Sequence, residues 1–96
     1  MNSKEKADDF YERFQKQLEE SQNWPGLYMF KFIVKSDLKK IAQIESLFHS
    51  ERAQITRKES SKGAFVSISV REVMLSADEI IEIYIQSSKI DGIIAL

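Results

Sequence analysis

From residue 65 to residue 70 the chain alternates without a break, with Val66, Ile68 and Val70 on one side and Phe65, Ser67 and Ser69 on the other. Period two over this length specifies a strand with one buried and one mixed face. The polar run before it, Ser60-Ser61-Lys62-Gly63, reads as a turn in which Gly63 supplies backbone freedom. Residues 51–59 form a weaker, charged strand, with Ala53, Ile55 and Arg57 alternating against Arg52, Gln54, Thr56 and Lys58. The two strands predict a hairpin whose first member lies at a sheet edge, where charge discourages stray pairing.

Residues 27–34 are apolar on both sides: Tyr28, Phe30, Phe32 and Val34 on one, Leu27, Met29 and Ile33 on the other, interrupted by Lys31. Such a strand belongs in the middle of a sheet. Three helices surround these strands. Residues 3–22 place Phe10, Phe14 and Leu18 at i, i+4 and i+8 with Tyr11 beside them, a narrow apolar stripe on a charged helix that Trp24-Pro25-Gly26 closes. Ser36 is expected to cap a second helix over residues 37–49, with Leu38, Ile41, Ile44, Leu47 and Phe48 inward. Ser76-Ala77-Asp78-Glu79 is a capping box opening a third helix to about residue 88, and residues 93–96 form a short last strand.

After the first helix the order is strand, helix, strand, strand, helix, strand. Right-handed crossovers turn that order into an α+β, ferredoxin-like βαββαβ arrangement: a four-stranded antiparallel sheet, two helices on one face, and an extra N-terminal helix. Residues 1–23 are expected to be an amphipathic extension and residues 24–96 the domain proper. The sheet face away from the two helices would carry Leu27, Met29, Lys31, Ile33, Phe65, Ser67, Ser69 and Arg71. It is too apolar to stay fully wet. Either the N-terminal helix folds over it with Phe10, Phe14 and Leu18, or another chain does. Function is expected on this face.

No catalytic pattern stands out. The chain has no cysteine, which excludes disulfides, thiolate catalysis and Cys-based zinc sites, and His49 is its single histidine, read as structural or solvated. Adjacent carboxylates lie on charged helix faces rather than in a shared cleft. A net charge of −1 gives no bulk attraction to phosphate backbones or anionic membranes. The opening residues are charged and are not expected to be a secretory signal, and no apolar run approaches a membrane span. Lys62-Gly63-Ala64-Phe65-Val66-Ser67-Ile68 partly matches the RNA-recognition-motif signature, with Phe65 at a base-stacking position, but it is one residue short and lacks the first stacking aromatic. Ser61, Lys62 and Gly63 could cradle an anion, although one glycine and no following helix favour a plain turn.

From Trp24 onward the chain resembles the YbeD-like family of small, uncharacterised bacterial proteins. Trp24-Pro25, Phe30-Lys31-Phe32, Ser60-Ser61-Lys62-Gly63 followed by Val66-Ser67-Ile68, and the ending Ser88-Lys89-Ile90-Asp91 carry the likeness, with Ser88 where the family has glycine. The resemblance implies a ferredoxin-like fold similar to ACT-type regulatory domains, which pair through their sheets and bind small effectors at subunit interfaces. The expected function is a non-enzymatic regulatory or binding module acting through the open sheet face or a subunit interface, on a small effector or a protein partner. Its candidate surface is Lys31, Met29, Ser61, Lys62, Gly63, Phe65 and Ser67. The expected state is a cytoplasmic homo-oligomer, a dimer by preference, with no cofactor, no metal and no membrane attachment. Nucleic acid is disfavoured, and single-stranded RNA on the sheet face and the Ser60–Gly63 turn is the alternative.

Overall fold

The computed structural model describes residues 3–49 and 51–96, with side chains described from residue 8. The elements are α1 (Ser3–Ser21), β1 (Gly26–Lys35), α2 (Leu38–Glu45), β2 (Gln54–Glu59), β3 (Phe65–Met74), α3 (Ala77–Ser88) and β4 (Ile94–Ala95). The strands form one antiparallel sheet in the order β2-β3-β1-β4. The two strands with the strongest apolar content thus lie in the middle, where both of their edges are paired. The hairpin between β2 and β3 closes as its turn residues require. Gly63 adopts φ +70°, a backbone region that costs any residue with a Cβ. Its N–H donates to the Ser60 carbonyl (2.8 Å) and the Ser60 N–H to the Phe65 carbonyl (2.9 Å).

Register pairs Phe30 with Val70, Phe32 with Ile68 and Val34 with Val66, so all six side chains point to one side. There they meet Ile41 and Ile44 of α2 and Ile80, Ile81 and Ile83 of α3 in a single core. Burial of each large side chain contributes about 1.5–3 kcal/mol before the entropy of ordering it is subtracted.

The first helix joins the helical layer rather than the bare side of the sheet. Leu18 is buried in the main core, and the Phe14 ring lies 5.4 Å from that of Tyr84 on α3. The turn after α1 is tied back by Trp24, whose indole N–H donates to the Leu18 carbonyl (3.1 Å). Gly26 is required there because a Cβ would come within 2.9 Å of the Asn23 carbonyl oxygen. Of the two coverings expected for the open face, the chain's own helix is therefore not the one adopted.

Helix α2 differs from its expected form at both ends. Asp37, not Ser36, is the N-cap: its carboxylate accepts the Lys39 N–H at 2.9 Å. Leu38, expected inside, sits at the first helical position and is 81% exposed. The helix stops at Glu45 instead of running to His49: the Leu47 and Phe48 N–H groups bond only three residues back, to the Ile44 and Glu45 carbonyls (3.1 and 3.2 Å), and the His49 N–H donates to the Glu72 carboxylate of β3 (Oε1, 3.1 Å). A continuing helix would have sent that N–H to the Glu45 carbonyl. The following residues curl so that Phe48 drops into the core, and β2 consequently begins at Gln54 rather than at residue 51. At α3 the capping box forms with a one-residue variation. Ser76 Oγ accepts the Glu79 N–H (3.3 Å), while Glu79 reaches past Ser76 to accept the Leu75 N–H (2.9 Å).

Candidate functional site

The open face is set by the odd-numbered residues of β1 and β3. Leu27 pairs with Val73, Met29 with Arg71, Lys31 with Ser69, Ile33 with Ser67 and Lys35 with Phe65. Gln54, Thr56 and Lys58 of β2 extend the face at one edge, and Ile94 of β4, opposite Ile33, at the other. Leu27, Met29, Phe65, Val73 and Ile94 are each about half exposed, from 45% at Phe65 to 56% at Met29. Lys31, Lys35, Lys58 and Arg71 stand among them, all exposed. None of the strand residues on this face is acidic. In a chain whose charges nearly cancel, such an arrangement puts four cations and, with Ile33, six apolar side chains on one sheet surface.

Four of the sequence-predicted residues, Met29, Lys31, Phe65 and Ser67, do share this surface. They do not form one pocket, since Met29 and Ser67 are four register positions apart, about 13 Å along the strands at ~3.3 Å per residue. Ser61, Lys62 and Gly63 lie beyond the end of the strands, in the hairpin turn. That turn has already used three of the N–H groups an anion cradle would need. Besides the Ser60 and Gly63 bonds, the Phe65 N–H donates to Ser60 Oγ (3.1 Å).

Two features escaped the sequence reading. The first is a cleft of about 640 Å³ on the helical side, between α1, the end of α3 and β4, lined by Phe10, Phe14, Tyr28, Tyr84, Ile90 and Ile93 among others. In its wall the Tyr28 and Tyr84 hydroxyls share a 3.1 Å hydrogen bond. Burial, then the bond to Tyr28, pushes the Tyr84 phenol well above its ordinary range. The aromatic stripe of α1 signalled a packing face, but its partner on α3 is distant in sequence.

The second is a polar cluster inside the fold. Glu72 lies on the core side of β3, between Val70 and Met74, and is 2% exposed. Its Oε2 is 3.1 Å from His49 Nδ1, which is itself 2.7 Å from Arg52 Nη2, and Arg52 Nη2 lies 3.9 Å from the same Glu72 oxygen. Ligand atoms of His49, Glu72 and Glu79 all lie within 4.8 Å of one another. A second ion pair, Arg57 to Glu45 (2.6 and 2.8 Å), is bidentate and ties β2 to the end of α2. The carboxylate holds the Arg57 guanidinium above its ordinary range, chiefly through these hydrogen bonds.

With this geometry in place, one comparison assigns the chain. The model of a family described as "Protein of unknown function (DUF493)" matches residues 19–96. The chain belongs to the DUF493 family. The match agrees with the YbeD-like resemblance and takes in the last turn of α1 with the whole sheet. No curated protein and no solved structure is significantly similar to the chain. Among the described residues, no helix is long and apolar enough to cross a membrane.

Proposed function

We propose that this DUF493 protein is a non-enzymatic, cytoplasmic binding module of bacterial origin that works through the open face of its sheet, on a protein partner with an acidic and apolar surface. The strand order β2-β3-β1-β4, with β1 and β3 central, supports a ferredoxin-like βαββαβ fold of the ACT-like kind. The observation that carries the reading is the uncovered face itself. Half-exposed Leu27, Met29, Phe65, Val73 and Ile94 make it costly to leave in water, while Lys31, Lys35, Lys58 and Arg71, with no carboxylate among them, select a partner of opposite sign. Pairing of two copies through this face, the ACT-like arrangement, would have to offset the two sets of cations, because like charges directly opposed cost several kcal/mol.

The test is affinity capture from cell extract with three forms of the protein. A partner retained by wild type and by Lys16→Glu on α1, but lost with Lys31→Glu/Arg71→Glu, supports the reading. A partner held equally by all three would refute it. Light scattering after size exclusion decides whether that partner is a second copy.

Single-stranded RNA is the second reading, favoured by one observation: Phe65 is half exposed on a face whose charged strand residues are all cationic, and Lys35 is its direct pair. Anisotropy of a labelled mixed-sequence oligoribonucleotide should then rise on adding protein, fall steeply with salt, and weaken with Phe65→Ala or Lys62→Ala. Binding indifferent to salt and to both substitutions would dispose of it.

A further inference from the structure

Glu72 breaks the apolar series on the inner face of β3, where Val66, Ile68, Val70 and Met74 are all buried. Its carboxylate lies where the residues following α2 meet the first turn of α3, which brings His49 and Glu79 to it. One oxygen has a settled partner, the His49 N–H. The other does not have a simple one. A guanidinium has five donors and no acceptor, so Arg52 Nη2, at 2.7 Å, needs a lone pair on His49 Nδ1. That leaves Nδ1 unable to donate to Glu72 Oε2 at 3.1 Å, and two acceptors face each other without a proton between them.

We propose that His49, Glu72 and Glu79 form a binding site for a divalent transition metal of the zinc class, with Arg52 occupying the cation's place when no metal is bound. An imidazole nitrogen and carboxylate oxygens are the donor types this class takes, at about 2.0–2.2 Å from the metal. In a tetrahedral site such bonds separate neighbouring ligand atoms by about 3.4 Å. The 3.1 Å between Nδ1 and Oε2 is a few tenths of an ångström from that value, and the Glu79 carboxylate already lies within 4.8 Å. Oε1 of Glu72 keeps its bond to the His49 N–H, so the carboxylate is oriented by the backbone as a metal ligand should be. The side chains of His49 and Arg52 are 58% and 47% exposed, which gives an ion a path and lets the guanidinium swing out to solvent. Three protein ligands leave a fourth position facing that path. The positions 49, 72 and 79 have no spacing that marks a metal motif in the sequence, and the fold alone assembles them.

The site is tested by calorimetric titration of the tag-free protein with Zn²⁺, and by the visible absorption of added Co²⁺. One equivalent should bind, with a Co²⁺ spectrum of four-coordinate intensity. His49→Gln and Glu72→Gln should each weaken binding by more than about 100-fold, beyond the usual loss for an outer-shell change. Glu72→Gln keeps an oxygen for the His49 N–H, so its folding is preserved and its far-ultraviolet dichroism should match wild type. Arg52→Gln, which removes the competing cation, should tighten binding about tenfold or more. Three results would overturn the proposal: no stoichiometric binding by wild type at about 100 μM metal, binding unchanged in Glu72→Gln, or binding weakened in Arg52→Gln. The first would make the cluster a purely structural latch.

Discussion

Replacing Glu72 in metal-free buffer tests what holds the segment after α2 to β3. The Glu72 carboxylate accepts the backbone N–H of His49 from inside the core. Glu72→Ala leaves that N–H without its acceptor, at a cost of about 1–3 kcal/mol. It also removes a buried methylene, worth about 0.8 kcal/mol, and leaves a void. Relief from burying a carboxylate acts in the opposite direction, so the expected loss is about 2–4 kcal/mol. For a domain of this size each kcal/mol lowers Tm by about 4–8 °C. Glu72→Leu refills the space but not the hydrogen bond and should lose about 1–2 kcal/mol, whereas Glu72→Gln keeps an acceptor oxygen and should lose less than about 1 kcal/mol. Urea denaturation with EDTA present, followed by the fluorescence of Trp24, gives the three values. If Leu equals wild type, or all three lie within about 0.5 kcal/mol of it, the hydrogen bond from the His49 N–H to β3 is not what holds this segment.

Gly63→Ala forces a Cβ into the left-handed region at φ +70° and should cost about 1–2 kcal/mol by urea denaturation, although no neighbouring atom obstructs the Cβ itself. Tyr84 has its phenol held protonated in the folded chain, so its contribution is intact below pH ~10 and is lost as the pH rises further and the unfolded chain alone ionises. The urea midpoint should therefore fall above pH 10, and Tyr84→Phe should flatten that fall. Lys31→Glu on the open face should leave Tm within a few degrees of wild type, consistent with a surface change away from any packed feature. A large drop would mean that Lys31 has a structural role in the sheet.

The sheet was legible because its pattern is local. Alternation over residues 65–70, the turn at Gly63 and the two-sided apolar strand around Phe30 each place a strand and its inner face from neighbouring residues alone. The boundaries of α2 were not legible for the converse reason. Leu38 fits the helical stripe by spacing, yet directly after the Asp37 cap it lies exposed, outside the core. Beyond the helix, the His49 N–H finds its acceptor in a carboxylate 23 residues further on. Glu72 itself was passed over because alternation assigns it to an inner face without saying what shares the space. Four of the candidate residues fell on one face by the same alternation. Their separation into a long surface and a distant turn needed the register between strands.

Charge is partitioned across the sheet, and that partition links fold to function. The helical side uses its carboxylates internally. Glu45 holds Arg57, Glu72 accepts the His49 backbone N–H with Arg52 3.9 Å away, and Glu79 caps α3. These pairings lie at the ends of α2 and α3 and along β2, where they fix how the helices sit on the strands. On the other side no strand residue is acidic, so Lys31, Lys35, Lys58 and Arg71 have no carboxylate from that face to neutralise them. Local potential follows this arrangement rather than the net charge of −1, since solvent screens charges beyond about 10 Å while the face concentrates its cations on adjacent strands. A nearly neutral protein can therefore present a cationic, half-apolar surface, and an overall charge of −1 does not oppose an anionic partner at this face.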